Sequence, residues 1–508
     1  MNGLPSSAET RGYSRLFILL CIWGAAHFAL LASISWQMVN VKPFGWQIYD
    51  VYYAAILDGR FDLPARVLRY EGHYKADGIG YLYQGLSPLL TRFAVGWVWP
   101  SDWFPLNVFS IWLWAVIGTL GWQAVLVTLS REYRVWNTHQ SLVLTLCVAI
   151  WLIGPGPILV VNQSLYHEPI AVAFAMASVF AAVWTKAAYG KLHLGLAVIL
   201  LAVCAAITLH ARPNLAIGLY LGAAVAVLWL LRQARAAILL PTLLSMAILA
   251  AGVLGYLGLN SVRFGDSFIL HGSFADSAVM YGTVFWGAET LDSERASAFE
   301  DYGRFNVMRV IPNAVVYLID IPNIPPLRDL SEAMLSFYRT ASVPMFEYVR
   351  VEPPRVGLMF IWPLWCLLAL FGFREVTCNL PMAVLLIAFA VSALVTFSYG
   401  TVTFRYRLDL WPMIGTLAVM GSMARMRTLP DGAGSLWTFR YYILAFAIGI
   451  VTMLTTLQSY TLKLRERPGG SSEPWSEEFC LERADLIGLS ELQSAYACRP
   501  ISLRKDSK

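Results

Sequence analysis

About eleven runs of apolar residues, each near the length of a membrane span, divide this chain, and no other feature limits its fold so strongly. A helix needs roughly 20 apolar residues to cross about 30 Å of hydrocarbon. The runs centre near Ala25, Val116, Ala149, Ser178, Val198, Ala223, Met246, Leu364, Ile387, Leu417 and Ile448. The third is interrupted by Gly154-Pro155-Gly156-Pro157, so its end is expected to be broken or re-entrant. The first, Leu16 to Trp36, follows Arg11 and Arg15 and is long enough to stay as an uncleaved helix rather than a signal peptide. Composition agrees: 58% of residues are hydrophobic, 14% are charged and mean hydropathy is +0.58, which no water-soluble domain of this size carries on its surface. The 19 Trp and 24 Tyr suit interfacial belts. A net charge of 37 − 32 = +5 gives no sign of nucleic acid as a partner.

Charge placement sets the topology. Arg11/Arg15, Arg131/Arg134, Lys186/Lys191, Arg232/Arg235, Arg374 and Arg425/Arg427/Arg440 fall on every second connection, which places them together on the cytoplasmic side. The N-terminus is then inside and the C-terminus outside, in the periplasm of a bacterial inner-membrane protein. The expected organisation is a transmembrane domain over 1–460, with external loops at about 37–104 and 260–353, followed by a short periplasmic tail over 461–508. Pro468-Gly469-Gly470-Ser471-Ser472 reads as the linker into that tail, where Cys480 and Cys498 are either a disulfide or a free pair. The remaining five cysteines read as small hydrophobes in apolar runs. The fold class expected is all-α, with amphipathic helices lying on the bilayer in the external loops, one from Asp50 to Leu57 stopped by Gly59 and another from Ser331 to Tyr348.

Ionisable groups at the membrane edge of a bundle are functional candidates by default. The first loop carries Asp50, Asp58, Asp62, Glu71, His73 and Asp77. Asp50 stands out because the chain returns toward the bundle there; as a helix-start acid it would need no other explanation. Asp58, eight residues on, lies about 80° around the same helix. Glu168, in Tyr166-His167-Glu168-Pro169, is expected on the same side as Asp50, so both fit one cleft, although it too reads as a plain helix-start acid. His167 titrates near neutrality when unperturbed and is a metal ligand elsewhere. Two basic segments break the charge rule: His210-Ala211-Arg212-Pro213-Asn214, where an anion must compensate, and Phe404-Arg405-Tyr406-Arg407. In an extended segment Arg405 and Arg407 share a face; in a helix they do not. Arginine forks suit phosphate, while the bland reading is snorkelling to lipid headgroups. Asn162-Gln163-Ser164 matches a glycosylation acceptor of the kind common by chance.

Taken together, the early acid Asp50 with Tyr52-Tyr53-Ala54-Ala55-Ile56-Leu57-Asp58-Gly59-Arg60, the stretch Gly80-Tyr81-Leu82-Tyr83-Gln84-Gly85-Leu86-Ser87-Pro88-Leu89-Leu90, Asn260 to Asp266 and Arg405-Tyr406-Arg407 resemble the GT-C superfamily of integral-membrane glycosyltransferases. That group includes the protein O-mannosyltransferases, the aminoarabinose transferase of lipid A and the oligosaccharyltransferase catalytic subunit. The resemblance covers about residues 11 to 460 in layout. It implies a GT-C-like bundle that moves a hexosyl or pentosyl group from a polyprenyl-phosphate donor to a lipid-linked, envelope or protein acceptor on the outer face, with direct inverting displacement. It implies Asp50 as catalytic base and Glu168 as the second acid, with Arg405, Arg407 and Arg212 on the phosphate; His167, Tyr406, Asp58 and Glu71 are further candidates. Asp50 is followed by Val51, so the frequent pair of adjacent acids is absent. A divalent ion, Mg or Mn, held by Asp50, His167 and Glu168, is compatible with the sequence but not required by it.

Other classes are a transporter or flippase, a glycan polymerase of envelope polysaccharide synthesis, and a non-catalytic scaffold. Transporters tend to show paired repeats and midplane charges. Here charges gather at span ends and no repeat is visible. A polymerase also uses external arginines and polyprenyl carriers, so Asp50 is what favours the transferase.

Overall fold

A computed structural model of the chain describes residues 7–38, 42–99, 105–234, 239–269, 278–429, 436–465 and 473–501. The Pro468–Ser472 linker and Arg235 lie outside the described residues. A helix meets every apolar run, as it must where no water is present to bond a free backbone group. These helices are α1 (Ser7–Met38), α3 (Leu106–Glu132), α4 (Gln140–Ile153) continued by α5 (Pro155–Val160), α6 (His167–Ala188), α7 (Leu194–Leu209), α8 (Pro213–Ala234), α9 (Leu239–Phe264), α12 (Pro363–Thr377), α13 (Leu380–Ser398), α14 (Arg407–Arg427) and α15 (Leu436–Arg465), with α2 (Ile48–Leu57), α10 (Val310–Ile319) and α11 (Arg328–Phe346) between them. Among the described residues six are long and apolar enough to cross a membrane: Arg15–Gln37, Leu106–Glu132, Gln140–Val160, His167–Ala188, Leu239–Phe264 and Leu380–Ser398. The others fall short by length or by charge, as in α14, which opens on Arg407 and Asp409 and closes on Arg425 and Arg427.

The third run is broken as its sequence predicts. The α4 helix stops at Gly154, where a side chain would strike the Ile150 carbonyl, and Pro155 restarts the chain as α5. Elsewhere small residues let helix backbones touch. A Cβ on Gly372 would enter the Leu417 carbonyl and one on Gly421 the Leu368 carbonyl, so α12 and α14 pack backbone to backbone.

The bundle has two distinct ends. At one, the basic connections meet: Asn379 donates to Tyr133 Oη at 2.7 Å and Tyr189 Oη at 2.8 Å, and Arg427 pairs with Glu375 at 2.5 Å. At the other, the remaining connections are stitched together by backbone bonds, Leu165 N to Phe44 O at 3.0 Å, Ser87 N to His210 O at 3.4 Å, Gly400 N to Arg304 O at 2.8 Å and Glu352 N to Val402 O at 2.8 Å. The connections that carry Arg131/Arg134, Lys186/Lys191, Arg374 and Arg425/Arg427 therefore gather at one end.

The layer at the second end amends the all-α expectation. Four two-residue strands, β1 (Asp62–Leu63), β2 (His73–Tyr74), β3 (Gly80–Tyr81) and β4 (Met280–Tyr281), form an antiparallel sheet in the order β1-β3-β2-β4. A parallel pair, β5 (Arg350–Val351) and β6 (Thr401–Val402), ties the second long loop to the start of α14. The first loop was also expected to rest on the bilayer through α2. Instead Ile48, Tyr49, Val51, Tyr52 and Ala55 are buried in a second hydrophobic core, shared with Leu68, Tyr74, Trp286 and the C-terminal segment. Its stop is as expected: the chain turns at Gly59, with φ +73°, a region that glycine enters at no steric cost. That C-terminal segment, α16 (Glu477–Leu486) and α17 (Glu491–Ala497), is closed by a Cys480–Cys498 disulfide. Arg66 and Trp475 exchange bonds through their backbone and side chain at 2.9 Å, Arg69 reaches the Glu473 carbonyl at 3.2 Å, and Asp62 accepts from Tyr496 at 2.9 Å and pairs with Arg499.

Candidate functional site

A cleft of about 660 Å³ opens in the loop layer and dips between the ends of α8, α9 and α13. Its wall carries five arginines, Arg212, Arg295, Arg304, Arg350 and Arg405, against two carboxylates, Glu71 and Glu352. Six tyrosines, Tyr83, Tyr166, Tyr256, Tyr281, Tyr399 and Tyr406, supply flat faces, and Phe268, Ile269, Phe299, Phe305 and Val395 supply an apolar side.

Local structure explains how each group arrives. Arg405 lies in the single 3-10 turn between β6 and α14, over the Tyr166 ring at 4.0 Å, with Glu352 3.4 Å away. Burial opposes its charge, yet Glu352 and the Tyr406, Tyr166 and Tyr83 oxygens outweigh that and hold its pKa well above the ordinary value. Glu352 also accepts from Arg350 at 2.7 Å, so it links two arginines across the wall. Arg212, in the turn before α8, pairs with Asp409, which also accepts from Asn214 at 3.1 Å. The anion that the basic 210–214 turn requires is thus a residue of this chain. Arg212 and Arg405 both lie against Tyr406, at 4.9 and 5.4 Å from its ring centroid, within cation–π range. Glu71 ends the 3-10 turn Arg69–Glu71 and accepts from Tyr281 Oη at 3.2 Å, beside Tyr83 and Arg350. Tyr83 sits on a segment clamped by Arg263, which donates to the carbonyls of Leu82 at 2.5 Å and Gln84 at 2.6 Å.

Asp50 and Glu168 converge, but outside this wall. Both grip the guanidinium of Arg92, Asp50 at 2.7 Å through Nε and Glu168 through Nη1. Arg92 is fully buried, Glu168 is 1% exposed and the Asp50 carboxylate 25% exposed. Burial opposes the Arg92 charge, and the two carboxylates reverse that and raise its pKa. No local pattern singles out Arg92, because its meaning depends on two partners 42 and 76 positions away.

Arg407 requires a correction. It was expected beside Arg405 on a phosphate; it is buried and pairs with Asp320 at 3.4 Å, because the segment is helical from Phe404 onward and the two side chains leave in different directions. Asp58 is exposed and pairs with Arg60 at 3.4 Å, away from the cleft. His167 is buried with Nδ1 3.2 Å from Ser164 Oγ. Asp50, His167 and Glu168 do not assemble a metal-binding set; among the described residues no three His, Cys, Asp or Glu side chains converge so as to hold an ion. Asn162 is 1% exposed and so closed to glycosylation. The residues that sequence reading missed, Arg295, Arg304, Arg350 and Glu352, come from the second long loop, where no spacing marks them and only folding collects them.

No family model matches this chain, and no curated protein matches it. Among solved structures, the apo form of the Archaeoglobus fulgidus oligosaccharyltransferase is similar to it with a TM-score of 0.45 at 10% identity, covering 95% of this chain and 61% of that one. This chain thus spans about three-fifths of that protein's length, and an overlap this loose transfers neither site nor activity.

Proposed function

We propose that this protein is a membrane glycosyltransferase that moves a sugar from a polyprenyl-phosphate donor to an acceptor on the periplasmic or outer face of a bacterial inner membrane. The observation that carries the reading is the cleft wall: arginines for a phosphate, tyrosine faces for a sugar ring, a carboxylate beside them and an apolar side at the ends of the spans. Few ligands need all four. Tyrosine rings and guanidinium forks bind sugars and phosphates without metal. The disulfide in the layer that bears the cleft favours an oxidising compartment for it, with the basic end in the cytoplasm.

In this proposal the donor phosphate lies on Arg405 and Arg212, whose pairs with Glu352 and Asp409 hold them in place before substrate arrives. The acceptor hydroxyl forms the new C–O bond at the anomeric carbon from the opposite face. Its proton passes to a carboxylate, and the old C–O bond breaks with its electron pair going to the departing polyprenyl phosphate. Glu71 faces the cleft and takes the base role, a contribution of roughly 10²- to 10⁴-fold. Asp50, the base expected from the sequence, here anchors Arg92 together with Glu168 and supports the loop from beneath.

The test is transfer of label from a panel of polyprenyl-phosphate sugars to membrane acceptors by purified wild-type, Glu71→Gln and Asp50→Asn proteins. Loss with Glu71→Gln and substantial retention with Asp50→Asn supports this assignment. The reverse pattern returns the base to Asp50, and no turnover of any donor by wild type removes the transferase.

A further inference from the structure

The helices α10 and α11 of the second long loop bury several polar groups while each turns an apolar stripe outward. On α10 Val316 and Tyr317 pack inward together with one polar residue: Asn313, 2% exposed, donates to the carbonyls of Phe397 at 2.7 Å and Tyr399 at 2.9 Å, and Tyr338 donates to it from α11 at 2.6 Å. Just before it Arg309, also buried, donates to the Gly303 carbonyl at 2.7 Å. The outward residues are apolar. Ile311, 77% exposed, Val315, Leu318 and Ile319 fall within an arc of about 100° at 100° per residue, and Val307 and Met308 extend the patch.

The second helix repeats the pattern. Ser331, Tyr338, Ser342 and Phe346 are buried, with Ser331 donating to Ile321 O at 2.8 Å and accepting from Arg355 at 2.8 Å. Leu330, Met334, Phe337, Ala341 and Met345 fall in an arc of about 80°, along which Leu330 and Phe337 are 56% and 74% exposed. Glu332, Ser336, Arg339 and Thr340 take the far side. Water disfavours an exposed apolar stripe of that extent.

From this exposed stripe and its continuity with the spans we infer that α10 and α11 form a hairpin seated in the bilayer interface, its apolar stripe in the acyl chains and the Arg339 side in water. The occupant of the stripe is lipid because α10 packs directly on α13, whose own outward residues Ile387 and Leu394 are exposed and belong to a membrane span. The stripe thus continues a surface that already faces hydrocarbon. One consequence reaches the cleft. Asn313 holds the backbone of Tyr399, and Arg309 that of Gly303 beside Arg304, so the hairpin's seat fixes how deep the arginine wall lies relative to headgroups.

The test places nitroxide labels at Ile311→Cys, Phe337→Cys and Arg339→Cys in the full chain with Cys378→Ser, reconstituted one copy per nanodisc, and compares collisions with oxygen and with a water-soluble nickel chelate. Oxygen should dominate several-fold at 311 and 337 and the chelate at 339. Chelate access at 311 and 337 equal to that at 339 overturns the inference, and so does shielding of both sites from both reagents, which would mean a protein partner covers them. The outcome does not depend on whether the cleft transfers sugars.

Discussion

Two clusters of charge lie at the same end of the bundle, and they are built on opposite rules. In the first, one fully buried guanidinium, Arg92, is shared by Glu168, itself buried, and by Asp50, whose carboxylate is 25% exposed. In the second, five arginines and two glutamates line an open cleft among tyrosine faces. A charge that is surrounded and paired holds the chain together. A charge that is paired from behind and open in front is ready for a ligand. Acidity near the first span therefore identifies a neighbourhood, while exposure toward the cleft decides between its carboxylates.

The comparison breaks most readily at Arg92. Arg92→Met leaves two carboxylates without their cation, at a cost of about 3–5 kcal/mol; thermal unfolding in detergent should show the loss, and a protein of unchanged stability would mean the cluster is not structural. Glu71→Gln should lower transfer by roughly 10²- to 10⁴-fold with stability preserved. Arg405→Ala should lower it by about 10²- to 10³-fold, and Arg405→Lys should restore only part, since an ammonium lacks the fork. Replacing Cys480 and Cys498 by serine opens a loop with a sequence separation of 18 and should destabilise the terminal segment by about 3 kcal/mol, read as faster proteolysis after Trp475 while the spans stay intact. Asp58→Asn, at an exposed pair with Arg60, should change stability by less than about 1 kcal/mol.

The two regions also differ in how legible they were. The six span-length helices, the break at Gly154 and the α11 helix follow from local pattern, and the placement of Lys and Arg foretold four of the connections that share an end. That Asp50 and Glu168 share an end was legible for the same reason. Arg92 between them was not, because nothing local distinguishes it from any loop arginine. Arg405 and Arg407 hinged on extended against helical backbone, and the onset of α14 just there separated them. The strands were missed because two residues carry too little alternation to read, against the five or six usual in a strand. The second loop's contribution to the cleft is purely tertiary: Arg295, Arg304 and Arg350 have no spacing in common, and β5 pairing with β6 is what brings Glu352 to Arg405.

The central claim is that the arginine wall receives a lipid phosphate. Its most direct measurement is the affinity of the protein in nanodiscs for a short-chain polyprenyl phosphate, titrated into wild type, Arg405→Ala and Asp58→Asn in parallel. Saturable binding by wild type and Asp58→Asn, weakened at least tenfold in Arg405→Ala, about 1.4 kcal/mol, is the predicted result. Equal affinity in all three proteins would contradict it and place the phosphate, if any, elsewhere.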